Sequence, residues 1–176
     1  MAIAMNLEAV IRSFPDFPKK GILFRDISPI LRDPKAMQYV IDQFYNHYKD
    51  KKIDLVAGIE SRGFIFACAM GLKFNKGIVM IRKQGKLPGK TLNLSYSIEY
   101  GNAVMEIQHD AIGKGQNVLV VDDLIATGGT AKTSAELIER LGGNVAGFAF
   151  VIELASLKGK DLLKGYETYS LVIYNE

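Results

Sequence analysis

Cysteine is nearly absent from this chain: Cys68 is the single one among 176 residues. An internal disulfide framework is therefore excluded, and the composition fits a reducing compartment such as the cytosol. Cys68 falls in the apolar run FIFACAM, where a buried small hydrophobe is expected and not a nucleophile. Long hydrophobic runs are missing as well, since none approaches the roughly 18 residues of a membrane helix. The N-terminal MAIAMNLEAVIRSF carries no basic leader and reads as an amphipathic helix, not as a signal peptide. Strong charge of one sign is also lacking. A net charge of +3 is too small to argue for nucleic acid. His47 reads as a helix-surface residue, and neither it nor His109 is assigned a role. With 48% hydrophobic and 23% charged residues, the expectation is a soluble, cytoplasmic single domain over residues 1–176.

Apolar strand runs alternate with helical patterns. IDLVAGIE (Ile53 to Glu60) reads as a strand, and SRG then opens the helix FIFACAMGLKF. Asn117 to Thr130 repeats the plan, followed by the helix AKTSAELIERLGG with Gly142 and Gly143 as its stop. Ala135, Leu137, Ile138 and Leu141 share the face that would meet a sheet. Further strands are expected at Gly77 to Lys83, Val145 to Leu154 and Tyr166 to Tyr174. This alternation predicts an α/β fold, a mostly parallel sheet covered on both faces, with ligands beyond the carboxyl ends of its strands. The middle differs. TLNLSYSIEY (Thr91 to Tyr100) alternates strictly, Gly101-Asn102 offers a turn, and AVMEIQ runs back as a β-hairpin. The preceding RKQGKLPGK, with Arg82, Lys83, Lys86 and Lys90, has little to bury and much to offer an anion, so it reads as a mobile basic flap.

The most informative stretch is VLVVDDLIATGGTA, Val118 to Ala131. Asp122 and Asp123 side by side in a protein interior would repel and lose hydration. They make sense where a strand ends at a cleft and something polar receives them. A turn of small residues opening a helix converges backbone N–H groups on one point, with the helix dipole adding positive potential, which makes a phosphate cradle. The lysine of a nucleotide-triphosphate loop is missing, and the glycine spacing does not fit the dinucleotide fingerprint. Two acids before a phosphate cradle suggest a sugar phosphate, with the acids accepting hydrogen bonds from vicinal hydroxyls. A plain helix cap would need one acid and would leave the second unexplained.

This stretch resembles the phosphoribosyl-pyrophosphate signature of the type I phosphoribosyltransferases. FPDFPKKGILFRDISPIL (Phe14 to Leu31) and IRKQGKLPGKTLNLSYSIEYG (Ile81 to Gly101) look like the members of that family that take adenine as their base. The resemblance runs from about Phe14 to the C-terminal strand. It implies the type I fold, with a small N-terminal hood and helix (1–34) and a flexible flap and hairpin (82–108). It also implies a homodimer and the transfer of the phosphoribosyl group of phosphoribosyl pyrophosphate to adenine, giving AMP and pyrophosphate with Mg2+ required.

Site residues follow from the same resemblance. Asp122 and Asp123 would hold the ribose hydroxyls, and Ala126, Thr127, Gly128, Gly129 and Thr130 the 5′-phosphate. Ser61 and Arg62 would bind pyrophosphate, with a cis peptide after the acid at position 60. Arg82, Lys83 and Lys86 would reach the same group, Arg82 from the neighbouring subunit. Glu99 would be catalytic, Tyr100 would shield the site, and Phe24, Arg25 and Leu124 would hold adenine. Magnesium would ride on substrate phosphates and water, with no direct protein ligand. Glu60 stands where many relatives have aspartate, and Gln84 where a basic residue or proline is common.

Each assignment has a bland counterpart. Arg62 could pair with Glu60 on the surface, Glu99 could be an exposed hairpin charge, and Phe24 could be plain core with Ile22, Leu23 and Ile27. Two functional alternatives also stay open. One is a phosphoribosyltransferase for another purine base, which would want a donor for a ring oxygen. The other is a regulator that senses phosphoribosyl pyrophosphate while binding DNA, which would need a separate DNA-reading module or a dense basic face.

Overall fold

The computed structural model of the chain describes residues 5–98 and 101–175. Its frame is a seven-stranded sheet of order β5-β6-β4-β3-β7-β8-β9. The strands are β3 (Leu55–Ile59), β4 (Gly77–Lys83), β5 (Thr91–Ile98), β6 (Gly101–Gln108), β7 (Asn117–Ile125), β8 (Asn144–Leu154) and β9 (Thr168–Tyr174). The five from β4 to β9 in sheet order run parallel, and the hairpin β5–β6 joins β4 antiparallel. Helix α4 (Gly63–Phe74) carries the chain from β3 to β4, and α5 (Gly129–Arg140) from β7 to β8. Because β4 and β8 lie on opposite sides of the β3–β7 pair, crossovers of one hand put α4 and α5 on opposite faces. The strand order therefore reverses between β3 and β7, and a crevice opens at their carboxyl ends.

Burial follows the pleat. In β7, Leu119 and Val121 face one core with Phe44 and Phe66, while Val118 and Val120 face the other with Leu137 and Phe150. Helix α3 (Pro34–Tyr48), capped by the Asp33 carboxylate on the Lys35 N–H, lies with α4 against the first core. In α5, Ala135, Leu137 and Ile138 are fully buried, as their spacing predicts. The helix stops at the expected place, with Gly142 at φ +88° and the Gly143 N–H on the Ile138 carbonyl.

Three expectations need correction. The N-terminal helix is one turn, α1 (Leu7–Val10), after which Arg12–Pro15 forms β1 and pairs with β2 (Leu23–Asp26). Pro15 biases Phe14 towards extended backbone, and the Arg12 guanidinium donates to the Asp26 carboxylate across the ladder. The hairpin does not turn at Gly101-Asn102, because these residues already pair with Ile98 and Ser97. Cys68 is exposed. Helix α4 buries Gly63, Phe66, Ala67, Met70 and Gly71, and position 68 falls on the opposite side with Ile65 and Leu72.

Candidate active site

The crevice between β3 and β7 brings two loops together. After β3 come Glu60, Ser61 and Arg62, and the Glu60–Ser61 peptide is cis, at the bond where the resemblance implies one. Gly63 then opens α4 so close to β7 that a Cβ there would stand 2.8 Å from Asp122 Oδ1. Only glycine lets the two loops lie in contact.

On the other side, β7 loses β3 as its neighbour after Val121 and continues beside β8 alone. Asp122 and Asp123 are the first residues past that parting, which answers how two acids fit at the end of a buried strand. Asp122 Oδ1 accepts the Asp123 N–H at 2.8 Å. Asp123 is 5% exposed. Its Oδ2 lies 2.8 Å from Arg62 Nη2, yet this buried oxygen accepts no aligned hydrogen bond. Burial, and then repulsion from Asp123, hold the Asp122 carboxyl well above the ordinary carboxylate range. Burial raises Asp123 also, and Arg62 pulls it part of the way back. Arg62 thus pairs with an acid of the crevice and not with Glu60.

The loop beyond the acids encloses a cavity of about 200 Å³ lined by Leu124, Ala126, Thr127, Gly129, Thr130 and Phe150, among others. Gly128 adopts φ +83°, and any Cβ there would collide with the Gly159 carbonyl. The segment after β8 therefore closes the cradle from behind. The first turn of α5 turns N–H groups that have no partner within the helix towards this loop. Thr130 Oγ1 lies 3.1 Å from the Tyr96 hydroxyl, so the hairpin reaches the cradle. Glu99 and Tyr100, expected as the catalytic acid and the shield, lie outside the described residues.

The basic loop expected as a flap is tied by side-chain bonds in this structure. Arg82 donates through Nε and Nη2 to Glu60 at 3.3 and 3.1 Å and through Nη1 to the Lys86 carbonyl at 2.8 Å. Its guanidinium is thus engaged by partners of its own chain. The Lys83 N–H adds a bond to Glu60. Burial pushes Glu60 up, but these donors outweigh it and leave its carboxyl below the ordinary value. Beneath the loop Glu106, 3% exposed, accepts the N–H groups of Lys86 and Leu87 at 2.8 Å each. Lys83 and Lys86 have exposed side chains.

In the hood, Phe24 is half-buried and packs edge-on against Phe17, with the Arg62 guanidinium 5.2 Å over its ring. Ile22 and Leu23 are 45% and 40% exposed, so Phe24 does not belong to a plain core cluster. Arg25 is buried, stacks 3.7 Å over the Tyr174 ring and donates to Ser13 Oγ. Its side chain braces the hood, while Leu124 lines the cavity. Phe150, Glu106 and Gly159 had no signal in the sequence beyond an apolar run, a polar position in an alternating strand and a lone glycine.

The chain matches the family described as "Phosphoribosyl transferase domain" over residues 26–172. It is 58% identical to the adenine phosphoribosyltransferase of Nitrosopumilus maritimus, covering 97% of this chain and 100% of that one. Among solved structures it resembles the adenine phosphoribosyltransferase of Thermoanaerobacter pseudethanolicus, with a TM-score of 0.92, 46% identity and coverage of 95% and 97%. It also resembles that of Saccharomyces cerevisiae complexed with an imino-altritol bisphosphate and adenine, with a TM-score of 0.89, 43% identity and coverage of 94% and 96%.

Proposed function

The chain belongs to the phosphoribosyl transferase family, and from that premise we propose that it transfers the phosphoribosyl group of phosphoribosyl pyrophosphate to adenine. It is a transferase of purine salvage that makes AMP, with pyrophosphate as the second product. The observation that carries the reading is the pair of acids at the crevice, with the Asp122 carboxyl raised by burial and by Asp123, next to the small-residue loop that encloses the cavity. Vicinal ribose hydroxyls would donate hydrogen bonds to these carboxylates.

The roles of the residues follow from their placement. Asp122 and Asp123 orient the ribose, and the loop from Ala126 to Thr130 holds the 5′-phosphate with backbone N–H groups. Ser61, Arg62, Lys83 and Lys86 receive the diphosphate, and Arg82 holds the two basic loops together. Adenine lies between the hood at Phe24 and the β7 loop at Leu124. Displacement at the anomeric carbon builds positive charge on the sugar, which the two carboxylates tolerate and the cations around the departing diphosphate complement. Glu99, three residues beyond the Tyr96 that touches the cradle, handles a purine ring proton, and Tyr100 keeps water out.

Magnesium belongs to the same proposal. The ion would be held by diphosphate oxygens and water, the ligands magnesium prefers. The acids Asp122 and Asp123 fit such an ion, because a dication near them offsets the burial that raises both carboxyls and the repulsion from Asp123 that adds to it at Asp122. When bound, it neutralises charge on the leaving group.

The enzyme works in the cytoplasm and as a homodimer. Among the described residues no helix is long and apolar enough to cross a membrane. The dimer rests on the outward face of α4, where Leu72 is 80% and Ile65 43% exposed. Leu72 also borders a hollow of about 660 Å³ in which Leu31, Met37, Ile41 and Ala69 are rimmed by Arg32, Gln38 and Lys73.

The test is pyrophosphate release on mixing the protein with phosphoribosyl pyrophosphate, magnesium and each purine base in turn. Release with adenine alone is expected. Release with guanine or hypoxanthine would overturn the base assignment and keep the fold. Tight binding of phosphoribosyl pyrophosphate without release by any base would favour a sensor.

A further inference from the structure

Glu106 is a buried acid under a loop whose lysines await an anion. Through space its charge opposes anion binding, so its presence asks for a compensating role. It sits on β6 opposite Arg82 of β4, 3% exposed. Its Oε1 takes the Lys86 and Leu87 N–H groups at 2.8 Å each, and Oε2 takes the Thr91 hydroxyl at 3.3 Å. Successive backbone N–H groups turned to one point form an anion-binding nest, and here the protein's own carboxylate fills it. Burial raises the Glu106 carboxyl, but the N–H groups of Leu87, Lys86 and Gly85 outweigh that and leave it below its ordinary value, so it is ionised at neutral pH. A second tie closes the loop. Arg82 Nη1 donates to the Lys86 carbonyl at 2.8 Å while its other nitrogens hold Glu60 of the neighbouring loop.

We propose that Glu106 is a positioning residue for pyrophosphate: it fixes the backbone of residues 85–87 so that Lys83 and Lys86 are presented to the diphosphate. This rests on the phosphoribosyl-transfer reading above. Glu106 touches no reacting group. It acts through the loop, and the ordering it supplies beforehand is ordering that binding need not supply.

The role is one of reach, and reach separates from charge in two variants. Glu106→Gln keeps an acceptor oxygen at the same length and removes the charge. Glu106→Asp keeps the charge and withdraws it by one methylene from the N–H groups. Titration calorimetry with inorganic pyrophosphate and magnesium is expected to give Glu106→Gln an affinity within about threefold of the wild type. Glu106→Asp and Glu106→Ala are expected to lose about tenfold or more, one lost charge-assisted hydrogen bond being worth that much. AMP, which has no diphosphate, is expected to bind all forms within twofold. Faster amide exchange at Lys86 and Leu87 is expected in the Asp and Ala forms. If Glu106→Ala does not fold, the Asp and Gln pair carries the test. Unchanged pyrophosphate affinity in Glu106→Asp, or an equal loss of AMP affinity, would overturn the proposal alone. Wild-type protein that binds neither pyrophosphate nor phosphoribosyl pyrophosphate would overturn the functional reading and this proposal together.

Discussion

Arg62 Nη2 stands 2.8 Å from Asp123 Oδ2, which joins the loop after β3 to the loop in β7. The same guanidinium lies 5.2 Å over the Phe24 ring, so one side chain touches an acid of the crevice and the aromatic residue of the hood. Its position depends on Gly63, the next residue, where any side chain would push α4 away from Asp122. The loop after β3 and the end of β7, far apart in sequence, thus share one cation, and in the proposed function this links the site for sugar to the site for diphosphate.

Replacing Arg62 with alanine should therefore weaken more than one step. Asp123 would lose the cation that lowers its carboxyl, and the diphosphate would lose a donor. The Arg62 side chain is 35% exposed, which moderates the cost of leaving Asp123 alone. We expect kcat/KM for phosphoribosyl pyrophosphate to fall by about 1.5–3 kcal/mol, or roughly 10- to 100-fold, as for hydrogen bonds to charged groups. Arg62→Lys should recover little, because a point charge cannot reach Asp123 and lie flat over Phe24 at once. Steady-state kinetics of both variants decide it, and equal kcat/KM for Arg62→Ala and wild type would reject the coupling.

Asp122→Asn should make the protein without substrate more stable while removing activity. The variant keeps the oxygen that accepts the Asp123 N–H and removes the charge that burial, and then Asp123, disfavour at Asp122. The sign follows from proton counting. The folded carboxyl is raised above its ordinary value of 3.8, so between that value and the folded one the native state binds more protons than the unfolded state. Wild-type stability therefore falls as pH rises through this window and stays lowered above it. The stabilisation by asparagine should be small near pH 4 and largest at neutral pH and above. Each kcal/mol relieved should appear as roughly 2–4 °C in Tm for a chain of this size. Thermal melts of both proteins at about pH 4 and pH 8 test the sign. A larger gain at the lower pH would contradict a raised Asp122 carboxyl.

Much of this site was legible in the sequence because its parts are local. The run from Val118 to Thr130 carries strand, acids, turn and helix start in one segment, and local geometry alone places them. The outward face of α4 was not legible for an equally physical reason. FIFACAMGLKF is apolar almost all round, so its periodicity does not say which side meets the sheet, and Cys68 was placed inside when it lies outside. Glu106 was invisible because its meaning depends on β6 pairing with β4, a contact between strands separated by the basic loop and β5. Arg82 was legible as a cation of the basic loop but not as the partner of Glu60, since that bond forms only once β3 and β4 lie side by side.

The apolar face of α4 yields the last expectation. Leu72 is 80% exposed and makes little contribution to its own chain's core, so Leu72→Glu should fold with unchanged helix content. In a two-fold interface the same residue is used twice. Burying a leucine is worth about 1.5–3 kcal/mol, and placing a carboxylate in the same contact adds a desolvation cost. Dimer dissociation should therefore become at least about 100-fold easier, with 1.4 kcal/mol corresponding to tenfold. Sedimentation velocity across micromolar concentrations should show a dimer for the wild type and mostly monomer for Leu72→Glu. Activity measured on the same samples has a separate use. Arg82 is bound to Glu60 within one chain, so if no partner residue completes the crevice the monomer should retain most of its turnover. A monomer that loses turnover while still binding AMP would instead place a residue of the second copy in the site.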